Sequence, residues 1–478
     1  MKELAQEIVE LIRNHDVDYG DVRIIEEEEQ ELSVRNDRVE SISHTTSSGI
    51  GIRVMYRGFW GFSSTNDVSI EGAYRAVKEA VAIAKASHSA GGRGLVLSEE
   101  EVYVDEYRTP VQLDPFSISI DEKLNFLFSV YEEIKGFDAI KIFFASMSFR
   151  RIDKTFASTE GHLIRQVIYQ SGGGYTLYAF SETDMQTRSF PASHGGDFGT
   201  GGYELILKAG WRENAVPIAE EAIRLLNAPR LPAGESDLII GTQQMALQIH
   251  ESVGHPLELD RVLGFEAGYA GTSWASKLGI RYGSPHMNIV QDATVPGGLG
   301  SFKYDDDGVL GKRAELIREG ILVNYLSSRD SAPLIGKKST GASRASSWNR
   351  IPIVRMTNVN LLPGEYDLEE LISMVKDGYY IDYNKSWSID QRRLNFQFST
   401  EVAYRIRNGK LLRDEIYRNA VYYGITPRFW SSLDGVANEK FWKIWGIPNC
   451  GKGEPGQVAR VGHGSSPALF RKVKVGAV

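Results

Sequence analysis

The chain has 478 residues, of which 42% are hydrophobic and 24% charged, so it is too apolar to be disordered and long enough for two or three domains. Its 54 basic and 62 acidic residues give a net charge of -8, which argues against a dedicated nucleic-acid binder with a basic face. It holds no run of about 18 apolar residues, so no transmembrane helix is expected, and its single cysteine, Cys450, rules out an intramolecular disulfide.

The first sixteen residues place Leu4, Ile8, Leu11 and Ile12 at helical spacing and carry acidic groups throughout. They read as an amphipathic surface helix without the apolar centre of a signal peptide, and the expected location is cytoplasmic. Residues 22–44 and 49–66 alternate apolar and polar side chains between glycine-rich turns, as strands do. The acidic run Glu26–Glu29 reads as a solvated strand face and turn. Residues 69–91 are expected to be helical, with a serine at the start and glycine at the end. A helix over 120–135 is followed by strands in 141–158 and 162–180. The glycine-rich stretch 193–202, SHGGDFGTGG, lacks a P-loop lysine and reads as a flexible loop. A further helix runs through 213–228.

Residues 228–236, APRLPAGES, hold two prolines and a glycine without periodicity, and the domain boundary is placed there. The second half opens with a strand, DLIIG (237–241). A helix follows at once, with Thr242 as its candidate N-cap. Beyond it lie mostly short strands and turns, with glycine turns at 305–308 (DDDG) and 318–321 (REGI) suggesting consecutive hairpins. The Asp305-Asp306-Asp307 run lacks the alternating ligands of an EF-hand and reads as a solvated turn. The expected fold class is α+β: a mixed α/β N-terminal domain (1–228) and a predominantly antiparallel β C-terminal domain (229–478) carrying one functional helix.

That helix bears His250, Glu251 and His255, an H-E-x-x-x-H pattern. Imidazoles ligate zinc well, and an adjacent glutamate can act as general base to an activated water. The familiar zincin spacing is i, i+4; here it is i, i+5, which turns the rings about 140° apart on a regular helix. Two solutions are open. A π-type bulge would return the fifth residue to the same face. Alternatively, the helix ends near Gly254, whose conformational freedom and the following Pro256 would let His255 turn inward. A catalytic zinc needs a third protein ligand, and the candidates are Glu258, Asp260, His286, Cys450 and His463. Cys450 stands out, because a thiolate ligates zinc strongly, it sits in a bent segment, and Lys452 lies close enough to favour ionisation. Two rivals remain: a cysteine hydrolase with Cys450 as nucleophile, and an interaction protein whose metal is structural and closed by His286 or His463.

The motifs HESVGHPLELD (250–260) and CGKGEPGQ (450–457), with YDDDG (304–308) and residues 352–365, resemble the TldD/PmbA metalloproteases, also called modulators of DNA gyrase. The resemblance spans the C-terminal half and extends more loosely into residues 36–54. It implies His250, His255 and Cys450 as ligands of a zinc ion (Zn2+) and Glu251 as catalytic base, as in the metal-bearing TldD branch. It further implies hydrolysis of extended or unfolded peptides, and a two-subunit assembly with another copy or a PmbA-type paralogue, without membrane or direct nucleic-acid binding.

Overall fold

The computed structural model describes residues 1–476. Helix α1 (Lys2–Arg13) buries Ala5, Ile8, Val9 and Ile12 on one face. It leads into the long antiparallel pair β1 (Tyr19–Arg35) and β2 (Arg38–Tyr56), joined by a two-residue turn at Asn36 and Asp37. Asn36 sits at a φ of 53°, the left-handed geometry that such tight hairpins need and that asparagine tolerates. Strand β3 (Phe59–Thr65) and helix α2 (Ile70–Ser89) follow, and Ser69 caps α2 by accepting the Gly72 N–H. After β4 (Val104–Arg108) come α3 (Ile120–Glu132), β5 (Ile140–Ser158), β6 (Leu163–Phe180), β7 (Met185–Phe190) and β8 (Asp197–Thr200). One sheet runs β3-β2-β1-β5-β6-β4, with β7 and β8 also on β6, and only the β4–β6 pairing is parallel. Helices α4 (Glu204–Lys208) and α5 (Trp211–Asn227) complete this half.

The acidic run lies in the middle of β1 and contains no turn. Glu27 pairs with Arg150, Glu28 with Arg151 and His44, and Glu29 with Arg460. The stretch 193–202 is likewise more ordered than its composition suggests. Its second half is β8, and Gly196 lies so close to β6 that a Cβ there would meet the Gly173 carbonyl oxygen at 1.8 Å.

In the second half, strand β9 (Gly234–Ile240) pairs in parallel with Asp377–Ile389 and antiparallel with Ala468–Val475. The sheet continues through Asn395–Arg407 and Lys410–Ile425, whose end returns to Ala468–Val475 through Tyr422 and Tyr423, so five strands close on themselves. The three strands Asp377–Ile389, Asn395–Arg407 and Lys410–Ile425, of 13 to 16 residues, are longer than the sequence pattern suggests. Leu238, Ile240, Phe398, Tyr422 and Phe470 share one buried cluster with Met245, Ile249 and Val253 of the motif segment. The architecture is α+β with largely antiparallel sheets.

The turn at Asp305–Gly308 is a tight hairpin, as Gly308 at φ 79° permits, but it is buried instead of solvated. Asp305 accepts the backbone N–H groups of Asp307, Val309 and Ser343. Asp306 pairs with Lys154 at 2.5 Å, and Asp307 pairs with Arg53 at 2.7 Å. Because Lys154 and Arg53 stand on β5 and β2, this turn ties the second half to the first sheet. Among the described residues, no helix is long and apolar enough to cross a membrane.

Candidate metal centre

The motif sits where three kinds of helix meet. Helix α6 (Thr242–Ile249) starts directly after β9, with Gly241 at the N-cap position. Thr242 is the first helical residue instead, and its hydroxyl accepts the Trp445 indole N–H at 3.0 Å. Residues His250–Gly254 form a π turn, closed by the His255 N–H donating to the His250 carbonyl, and His255–Leu257 form a short 3-10 turn. The i, i+5 hydrogen bond widens the turn by one residue, which returns His255 to the face of His250. The two ring centroids are 4.8 Å apart. Of the two solutions the sequence leaves open, the bulge is the one the chain adopts.

A π turn disturbs the regular ladder, and here side chains from elsewhere take up the slack. The Ser252 carbonyl accepts Tyr282 Oη at 2.5 Å, and Ser252 Oγ accepts the Trp430 indole at 2.9 Å. Gln244 donates to Tyr422 Oη, which donates to Gln248, fixing α6 to its strand. Gly254 plays a different part from the one its flexibility suggests. Its φ of -58° is ordinary helical geometry, but a Cβ there would meet Met356 Sδ at 2.0 Å. The glycine is needed for close packing. Gly254→Ala should therefore cost about 1–3 kcal/mol of stability through overpacking and shift His255. Chemical denaturation together with metal-binding titration checks this, and a variant matching the parent in both would overturn it.

Cys450 arrives from the hairpin of strands Lys443–Lys452 and Gln457–Ser465. The register slips between Ile447 and Cys450, and such a bulge re-aims the side chains beside it. Ligand atoms of His250, His255 and Cys450 lie within 4.8 Å of one another, and all three residues are buried. Cys450 Sγ stands 3.5 Å from His255 Nε2. A tetrahedral zinc with Zn–N near 2.0–2.1 Å and Zn–S near 2.3 Å would separate a nitrogen and a sulfur by about 3.5 Å. The donor set therefore fits such an ion.

The tautomers can be read from the bonds behind the rings. His463 Nδ1 donates to the Val359 carbonyl at 3.0 Å, which leaves Nε2 to accept from His250 Nδ1 at 2.8 Å. His255 Nδ1 donates to Glu258 at 2.9 Å. Both motif rings are thereby left with a bare Nε2 lone pair on the cavity side, the state a metal requires. Burial holds His250 down to about 4 and His255 well below the usual imidazole range. Protons should thus compete poorly with a metal. Bound metal should survive acidification past about pH 6.5, where ordinary imidazoles begin to charge, and be lost nearer the His250 value of about 4. Elemental analysis after dialysis across that range measures it, and complete release by about pH 6.5 would contradict the prediction.

Burial alone would raise the Cys450 thiol, but His255 and Arg355 outweigh it and bring it below its ordinary value. Arg355 donates to Cys450 Sγ at 3.1 Å and to its carbonyl at 2.6 Å. The cation beside the sulfur is thus Arg355 and not Lys452, whose ammonium binds Asp260 at 2.5 Å. The remaining ligand candidates fall into other places. Glu258 and His463 stand behind the rings, Asp260 neutralises Lys452, and His286 is exposed in a turn outside the cavity lining.

His250, His255 and Cys450 border a cavity of about 470 Å³. Glu251 lies in its wall, with Oε2 held by the Arg393 guanidinium. His194, Trp387 and Trp445 line it as well. Arg393 and His194 carry no motif around them, although each sits at a positive φ that only the fold reveals.

A family model described as the PmbA/TldA metallopeptidase C-terminal domain matches residues 233–477, and one for domain 1 of the same metallopeptidases matches residues 20–84. The chain is 30% identical over 451 residues to a metalloprotease of Methanocaldococcus jannaschii, covering 94% of each chain. It is 24% identical over 471 residues to a zinc metalloprotease TldD homolog of Saccharolobus solfataricus, covering 96% of each. Among solved structures, a putative modulator of DNA gyrase from Thermotoga maritima has a TM-score of 0.78 at 17% identity, over 99% of this chain and 100% of that one. The TldE of Thermococcus kodakarensis gives 0.75 at 15%, over 99% and 100%. At such identities the structural likeness speaks for the fold alone.

Proposed function

The chain belongs to the TldD/PmbA metallopeptidase family, and from that premise we propose that it is a zinc-dependent peptidase with His250, His255 and Cys450 as ligands and Glu251 as general base. The observation that carries the reading is the pair of bare Nε2 lone pairs facing Cys450 across the cavity wall. A His/His/Cys set favours zinc among divalent ions, and one relative is named a zinc metalloprotease.

A zinc ion held there would supply Lewis-acid activation of water and of the scissile carbonyl. The chain's own residues do the rest. Among the described residues, one Glu251 carboxylate oxygen, Oε1, has no protein partner, and it is free to take a proton from the attacking water and return it to the leaving amine. His463 and Glu258 keep both ligand rings in the required tautomer. Beyond Ile381, the strand Asp377–Ile389 is paired on one side only, and Trp387, Ser388 and Ile389 border the cavity. An extended peptide can add to that open edge through its backbone, which gives affinity with little sequence preference. A second subunit, another copy or a PmbA-type paralogue, would cover the cavity. The fold shared with a TldE is the support for that part.

One observation favours a second reading. Cys450, His255 and Glu258 stand in the order of a nucleophile, base and orienting acid, at 3.5 and 2.9 Å. That reading leaves His250 and its π turn without a purpose, and the depressed His255 would be a weak base. Chelation separates the two. Elemental analysis should find about one zinc per chain, with peptide cleavage lost on chelation and regained when zinc is restored. Metal-free protein that still cleaves peptides would reject the metal mechanism and favour the thiol.

A further inference from the structure

We propose that Arg393 is the positioning residue of this centre, holding one carboxylate oxygen of Glu251 so that the other is presented to the cavity. The inference rests on the proposed role of Glu251 and adds a residue to it.

Arg393 lies in the turn between the strands Asp377–Ile389 and Asn395–Arg407, and among the described residues no other arginine or lysine lines the cavity. Its Nη1 donates to Glu251 Oε2. Glu251 has no further side-chain partner among the described residues, so this contact alone sets how its carboxylate faces. A carboxylate with both oxygens free would rotate, and only some orientations put an oxygen within reach of a proton in the cavity. The histidines on either side are already fixed from behind, by His463 and by Glu258. Arg393 supplies the matching restraint for the acid between them.

The backbone supports the assignment. Arg393 has a φ of 59°, a left-handed geometry that glycine adopts freely and other residues adopt at a cost of about 1–2 kcal/mol. The turn is held in that shape from several sides. The Asp390 carboxylate accepts the N–H groups of Leu394 and Asn395, Thr426 Oγ1 donates to the Arg393 carbonyl, and Arg261 donates to the Gln391 carbonyl. Surroundings that enforce a strained arginine where glycine would be unstrained point to use of its side chain. Its side chain is only 18% exposed, and among the described residues its buried Nε has no partner, so Glu251 is its one strong contact there.

The test compares Arg393→Gly and Arg393→Lys with the parent zinc-loaded protein on one peptide substrate. Glycine suits the left-handed turn, so Arg393→Gly keeps the fold while deleting the guanidinium. The expected result is a kcat lower by about 10–100-fold with KM within about twofold and the zinc content unchanged. Arg393→Lys should fall between the two, and added methylguanidinium should restore part of the kcat of Arg393→Gly. An unchanged kcat, a loss confined to KM, or a loss of zinc would each overturn the proposal. Glu251→Gln keeps the two failures apart. Full cleavage in Glu251→Gln removes the base itself, whereas an inactive Glu251→Gln beside a fully active Arg393→Gly removes only the role of Arg393.

Discussion

Glu251→Gln is expected to lower kcat for peptide cleavage by about 10²–10⁴-fold, the usual contribution of a positioned general base, while zinc is retained. The amide has the shape of the carboxylate and can still accept from Arg393, so packing against His250 and the cavity wall changes little. What it lacks is the basic oxygen. The proposed ligand atoms are on other residues, so metal content should match the parent by elemental analysis. Undiminished cleavage in a zinc-loaded Glu251→Gln protein would exclude the residue as the base. Loss of zinc would show that the variant had disturbed the π turn and not the chemistry alone.

Glu258→Ala is expected to do the largest damage to stability. The Glu258 carboxylate is fully buried. It accepts from His255 Nδ1 at 2.9 Å and the Met356 N–H at 3.2 Å, with the Arg355 and Lys452 cations 3.7 and 3.9 Å away. Its removal leaves the buried Arg355 short of a carboxylate and one imidazole free to flip, while Lys452 keeps Asp260 at 2.5 Å. Breaking a buried charge pair from one side costs about 3–5 kcal/mol. Loss of the group that orients a ligand histidine weakens metal binding or activity by about 10–100-fold. Denaturant unfolding and zinc titration measure the two effects. A change in stability within about 0.5 kcal/mol, the range of ordinary surface substitutions, would mean that the charges around Glu258 compensate without it.

The same residue shows how far the sequence could be read. Glu258 and His463 are recognisable beforehand as donors belonging near a metal, but not as the groups standing behind the His255 and His250 rings. The difference is one of direction, since Glu258 turns its carboxylate to Nδ1 of His255 and His463 offers Nε2 to Nδ1 of His250. Likewise, a basic residue near Cys450 was expected, and proximity along the chain suggested Lys452. The sulfur is served by Arg355, nearly a hundred residues away in sequence, while Lys452 turns to Asp260. Arg393 has no sequence signature because its role depends on a turn geometry and a neighbour 142 residues distant. The buried Asp305–Asp307 turn misleads for a related reason. Aspartates beside glycine usually face water, and only a second sheet bringing Arg53 and Lys154 over them makes burial tolerable.

The sequence alone determined the elements and the donors. Local hydrophobic spacing placed helices over 69–91, 120–135 and 213–228, where the structure has them at 70–89, 120–132 and 211–227, and the pattern at 250–255 with Cys450 named the groups that can meet a metal. It also posed the spacing problem of His250 and His255 without solving it, because an α turn and a π turn differ by a hydrogen bond that tertiary contacts decide. Tyr282 and Trp430 reach the π turn from distant segments and hold Ser252. The tertiary structure alone decided which lone pair each histidine turns to the cavity and which carboxylate oxygen Glu251 leaves free. These are properties of partners brought together by packing, and their identity is not carried by the residues that use them.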